Sequence, residues 1–97
     1  MYRLQKYEIH NWVTDTGGVF TYRNIIIKKD NQVILRDRLM ISSGDNNVYE
    51  LWFTGNKTFE KEYFLMFKNE TIFLSLEEAK ERVDLFLKHL SKLICFI

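Results

Sequence analysis

The sequence predicts an α+β fold, an antiparallel meander sheet of five or six strands with one long C-terminal helix packed on one face. Three observations carry this. Only the stretch Ser75 to Ile97 has a sustained helical period and its own start signal. Nearly everything before it consists of short runs rich in β-branched and aromatic residues. Those runs are separated by Gly, Asn and Asp clusters at regular intervals.

The helix is the most explicit element. Ser75 can cap its first turn, and Glu78 three residues on completes a Ser-x-x-Glu capping box. Leu76, Ala79, Val83, Phe86, Leu87, Leu90 and Ile94 follow three- and four-residue steps and line one side. Glu77, Glu78 and Glu81 stand near the N-terminus, with Lys88, His89 and Lys92 near the C-terminus, as the helix dipole favours. Glu78 with Arg82 and Asp84 with Lys88 have the favourable i, i+4 order. The helix is expected over about 76–94.

The strands precede it, over about 2–74. Tyr2, Leu4, Tyr7 and Ile9 alternate with polar residues, slipping near Lys6, which suggests an edge strand with a bulge there. Asp15-Thr16-Gly17-Gly18 is a turn. Val19 to Lys28 and Val33 to Ser42 form a hairpin about Asp30-Asn31, two residues that tolerate turn conformations. Pairing Lys29 with Gln32, Ile26 with Leu35 and Tyr22 with Leu39 puts Phe20, Tyr22, Ile26, Val33, Leu35, Leu39 and Ile41 on a core face. The opposite face then carries Arg23, Arg36, Arg38 and Met40. Val48 to Phe53, Phe59 to Lys68 and Thr71 to Leu74 complete the sheet, and the doubly apolar Tyr63 to Phe67 suits a central strand.

Ninety-seven residues make one domain, 1–97. With 46% hydrophobic and 28% charged residues, the chain has a globular balance. A net charge of +1 gives no bulk attraction to nucleic acid or an anionic membrane. The single Cys95 cannot form an internal disulfide and fits a reducing compartment. The first twelve residues lack a signal-peptide core, and the apolar run Leu93 to Ile97 is too short to span a bilayer. A cytoplasmic protein is expected. The wealth of Asn, Lys and Ile, with one Ala, fits an AT-rich bacterial or phage genome.

No catalytic constellation is visible. His10, His89 and Cys95 are the only imidazoles and thiol, and none stands at contact spacing with another. Glu60 and Glu62 would be neighbours on a solvated strand face. Ser43 to Asn47 lacks the calcium-loop pattern, no Cys or His pair has metal spacing, and Gly17-Gly18 has no phosphate-loop sequence after it. No metal, cofactor or small-molecule substrate is expected.

Two surfaces stand out instead. Arg23, Arg36 and Arg38, with Met40 beyond, suit a protein partner or a single nucleic-acid strand. Leu93, Ile94, Phe96 and Ile97 suit an interface, because one helix of about five turns cannot cover a wide sheet on both faces. The expectation is a non-enzymatic protein-binding module, homodimeric and of the inhibitor, adaptor or immunity type, encoded by a phage or mobile element. The alternative is a single-stranded nucleic-acid-binding protein using the basic-aromatic face.

Overall fold

The computed structural model describes residues 5–91. Its elements are β1 (Gln5–Ile9), β2 (Val13–Thr14), β3 (Phe20–Lys29), β4 (Gln32–Ser43), β5 (Tyr49–Gly55), α1 (Glu60–Phe67), β6 (Ile72–Phe73) and α2 (Leu76–Leu90). The strands form one six-stranded antiparallel sheet in the order β1-β3-β4-β5-β6, with β2 also pairing β3. Both helices pack on the same face. The predicted α+β meander with a C-terminal helix is therefore the observed fold, with a second helix in it.

The β3–β4 hairpin is the spine of the sheet. Asp30 and Asn31 take positive φ of 53° and 66°, the two-residue loop whose twist matches a hairpin. The register breaks between Ile27 and Lys28. Below that bulge Lys29 pairs with Gln32, as expected, but above it Ile26 pairs with Arg36 and Tyr22 with Met40. A one-residue slip exchanges the faces of one strand. Leu35, Leu39 and Ile41 remain on the helix side, joined there by Ile25 and Ile27, whereas Phe20, Tyr22 and Ile26 lie on the opposite face. The irregularity expected near Lys6 is absent, since β1 runs in unbroken register from Gln5 to Ile9.

Residues 59–68 correct the expectation of a central strand. Glu60–Phe67 form α1 between the caps Phe59 and Lys68, and Phe59, Tyr63 and Phe67 recur at four-residue steps. The Tyr63 ring is fully buried, 5.2 Å from Phe53 of β5 and 5.3 Å from Phe86 of α2. Gly55 (φ +78°) makes the turn into α1, and a Cβ there would lie 2.2 Å from the Arg36 carbonyl oxygen. Asp37 accepts a hydrogen bond from the Thr58 amide at 2.9 Å, holding the same turn. The Tyr63 hydroxyl donates to the Glu70 carbonyl at 2.5 Å and fixes the exit toward β6. Glu60 and Glu62 stand in the first turn of α1, near the positive end of its dipole.

Helix α2 begins as the sequence indicates, with Ser75 Oγ accepting from the Glu78 amide at 3.0 Å. Ala79, Val83, Phe86, Leu87 and Leu90 are buried against the sheet and Leu76 is half-buried. Its charges pair outward and not along the helix. Arg82 engages Glu70, and Asp84 engages Arg23 of β3 at 2.9 Å. Leu93, Ile94, Phe96 and Ile97 lie outside the described residues. No helix among the described residues is long and apolar enough to cross a membrane.

Candidate functional site

Alternation along the strands gives the sheet two unlike faces. One is sealed by α1 and α2. The other has no layer over it among the described residues, and its side chains fall into cross-strand rows.

The middle row is apolar. Val13, Tyr22, Met40 and Trp52 are successive partners across β2, β3, β4 and β5. The next row on one side is Phe20, Ser42, Glu50 and Ile72, across β3, β4, β5 and β6. Trp52 is 47% exposed, Ile72 50%, Val13 42% and Phe20 37%, while Tyr22 and Met40 are half-buried by their neighbours. The Trp52 indole N–H donates to Ser42 Oγ at 2.8 Å, which holds its ring across the two rows. Exposed large apolar side chains scattered singly mean little, but adjacent ones in a sheet face form a patch.

The row on the other side is polar and basic. Asn24, Arg38 and Thr54 are partners across β3, β4 and β5, and the His10 amide donates to the Asn24 carbonyl at the β1 edge. The Arg38 guanidinium lies 3.9 Å from the centre of the Tyr22 ring, and its Nε donates to Asn24 Oδ1 at 2.9 Å. It is therefore held in place with its remaining N–H groups uncommitted. Arg36 is one row further along β4, and its guanidinium has no partner among the described residues. A cavity of about 370 Å³ opens here, with His10, Asn24, Arg36, Arg38, Thr54 and Gly55 among its walls. Lys28 is not free to join, because it is paired with Glu8 at 2.5 Å. That hydrogen bond is the first cause holding the Glu8 carboxyl below its ordinary value.

Of the four residues singled out in the sequence, Arg36, Arg38 and Met40 share this open face. Arg23 does not. The slipped register turns it to the helix side, where Nε donates to the His10 carbonyl at 2.9 Å and Nη1 meets Asp84. Its guanidinium also lies 5.5 Å from the Trp12 ring. Sequence reasoning missed Tyr22, Phe20, Asn24, Trp52, Glu50 and Ile72 as surface residues. Alternation of Glu50, Trp52 and Thr54 about the apolar Leu51 and Phe53 is the signal for two of them, Glu50 and Trp52.

The cavity brings His10 and the buried Asp37 together beside Arg36 and Arg38. The loop 44–47 after β4 and His89, in the last turn of α2, do not line it. Among the described residues no three His, Cys, Asp or Glu side chains could hold a metal ion. What the open face offers is an apolar, aromatic row beside a socket with two guanidiniums that have no ion pair among the described residues. Comparison with models of known protein families, with curated proteins and with solved structures finds no match, so the reading of this surface rests on its own chemistry.

Proposed function

We propose that the chain is a non-enzymatic protein-binding module that works through the open face of its sheet, as a small inhibitor, adaptor or immunity-type protein does. The observation that carries this reading is the uncovered row Val13–Tyr22–Met40–Trp52, extended by Phe20 and Ile72. A six-stranded sheet whose described helices both lie on one side has a second side to bury, and aromatic and Met side chains with a flanking Arg are the composition of interface centres.

The charge pattern favours a protein over a single nucleic-acid strand. A strand of phosphates needs a track of cations. Among the described side chains, Arg36 and Arg38 are the cations free on the open face, Arg23 is on the other side, Lys28 is tied to Glu8, and Glu50 stands beside Trp52's row. A protein surface that places an acidic side chain next to apolar ones fits both halves of the face.

Photo-crosslinking tests the reading. A photoreactive residue at position 52, compared with one at Leu85 on the exposed side of α2, is activated in extract of the source cells. A discrete protein adduct from position 52 with none from position 85 is expected. Adducts removed by nuclease, or equal labelling from both positions, contradict it. Fluorescence anisotropy with single-stranded DNA and RNA at low salt is expected to show no binding.

A further inference from the structure

We infer that the open face binds a second copy of this chain, and that Glu50 of each copy enters the Arg38 cavity of the other. This rests on the protein-binding reading above and names its partner.

The argument starts from symmetry. Two copies that meet through the same face are related by a two-fold axis lying in the plane between them. The charges on the face choose the direction of that axis. Arg36 and Arg38 lie on one side of the apolar row and Glu50 on the other, with same-face rows about 7 Å apart along the strands. An axis parallel to β4 would stack Arg38 on Arg38 and Arg36 on Arg36. An axis along the row Val13–Tyr22–Met40–Trp52 keeps each strand over its own copy and reverses direction along it. The apolar row then meets itself, and the row Asn24–Arg38–Thr54 meets Phe20–Ser42–Glu50 of the mate.

In that arrangement Glu50 of the mate comes over Thr54, beside Arg38, at the mouth of the cavity. The complement is chemical as well as geometric. Glu50 makes no ion pair among the described residues of its own chain, and its neighbours across the strands are Ser42 and Ile72. Arg38 is held by Asn24 and Tyr22 with N–H groups to spare, so it receives a carboxylate without reorganising. Two such pairs form by symmetry, one at each side of the apolar centre.

The size agrees. The molecule measures 45 × 30 × 18 Å, and the thin dimension is that of a helix layer on a sheet layer. The open face therefore spans the two longer dimensions, enough for the roughly 800 Å² per partner of a standard interface. The product is a four-layer helix–sheet–sheet–helix dimer in which the apolar rows form a second core.

Sedimentation equilibrium or light scattering of the full chain tests this. At about 100 μM, far above the μM constants of weak interfaces, the wild type is expected to be a dimer. E50R and R38E each weaken it by about tenfold or more, through like charges brought together. The double variant R38E/E50R recovers most of the loss, since the two charges have exchanged places and opposite signs meet again across the interface. That recovery also separates a broken contact from a misfolded chain. A monomeric wild type overturns the inference, whether the face is bare or taken by a different protein. A dimer indifferent to both single reversals, or a double variant weaker than either, overturns it too. A monomer that still gives a discrete adduct from position 52 with another protein leaves the protein-binding reading standing. The absence of any such adduct removes that reading as well.

Discussion

Arg23 Nη1 lies 2.9 Å from Asp84 Oδ1, joining the third strand to the C-terminal helix across the packed side of the sheet. The same guanidinium donates through Nε to the His10 carbonyl. One arginine thus fastens β3, the segment after β1 and α2, and it is this attachment that removes Arg23 from the face carrying Arg36 and Arg38.

R23A is accordingly expected to lower stability and leave association alone. Asp84 is half-exposed, so the ion pair contributes near the low end of about 0.2–1 kcal/mol. Most of the loss comes from the hydrogen bond to the His10 carbonyl, for a total of about 1 kcal/mol. Urea denaturation reads the first and sedimentation the second. If R23A impaired association as strongly as R38E, Arg23 would have to reach the open face.

Asp37 sets a pH dependence. It is 4% exposed, Oδ2 accepts from the Thr58 amide, and Oδ1 has no hydrogen-bond partner among the described residues. Burial pushes its carboxyl above the ordinary value, against the opposing pull of the Thr58 hydrogen bonds. The folded state therefore holds the proton at pH values where the unfolded chain has lost it. This contribution favours folding at low pH and is lost as pH rises from the ordinary aspartate value through the folded one. D37N, whose amide oxygen can still accept from Thr58, is expected to flatten the stability profile in that acidic window and to be no less stable than wild type at neutral pH. Identical pH profiles for the two chains would contradict this.

Tyr63 tests the α1 packing. Its hydroxyl is buried and held protonated above the usual phenol range, chiefly by desolvation. Y63F keeps the ring contacts with Phe53, Phe67 and Phe86 and removes the donor to the Glu70 carbonyl. A loss of about 1 kcal/mol is expected in urea denaturation at neutral pH. The sign at alkaline pH follows from the raised value. The unfolded phenol ionises first, so wild-type stability falls as pH rises past about 10, and Y63F loses that part of the fall. A Y63F chain with wild-type stability at both pH values would mean the hydrogen bond adds nothing.

Much of the fold was legible because local signals agreed with tertiary ones. Ser75, Glu78 and the Ala79–Val83–Phe86–Leu90 stripe specify α2 without help, and Asp30-Asn31 between apolar runs specifies the hairpin. The failures have physical causes. Tyr63 to Phe67 is aromatic and apolar throughout, and β-propensity of that kind masked the four-residue recurrence of Phe59, Tyr63 and Phe67 that tertiary packing on Phe53 and Phe86 selects. The bulge at Ile27/Lys28 leaves no composition signature, yet it decides which face of β3 is buried. Alternation alone therefore places Arg36, Arg38 and Met40 on the open face, where they lie, but it also places Arg23 there and sends Tyr22 and Phe20 to the core, which the slipped register reverses. Helical spacing alone pairs the charges of α2 locally, because the sequence does not show that Arg23 and Glu70 lie within reach of the helix.

In the proposed dimer, protein covers the open face of the sheet. Hydroxyl-radical footprinting reads this most directly, because Met40 and Trp52 lie on that face while Met66, 37% exposed, lies on α1 as an internal reference. In concentrated wild-type protein, Met40 and Trp52 are expected to be oxidised several times more slowly, relative to Met66, than in R38E. Equal oxidation of Met40 and Trp52 in the two chains, at the rates their exposure in a single copy allows, would contradict a covered face.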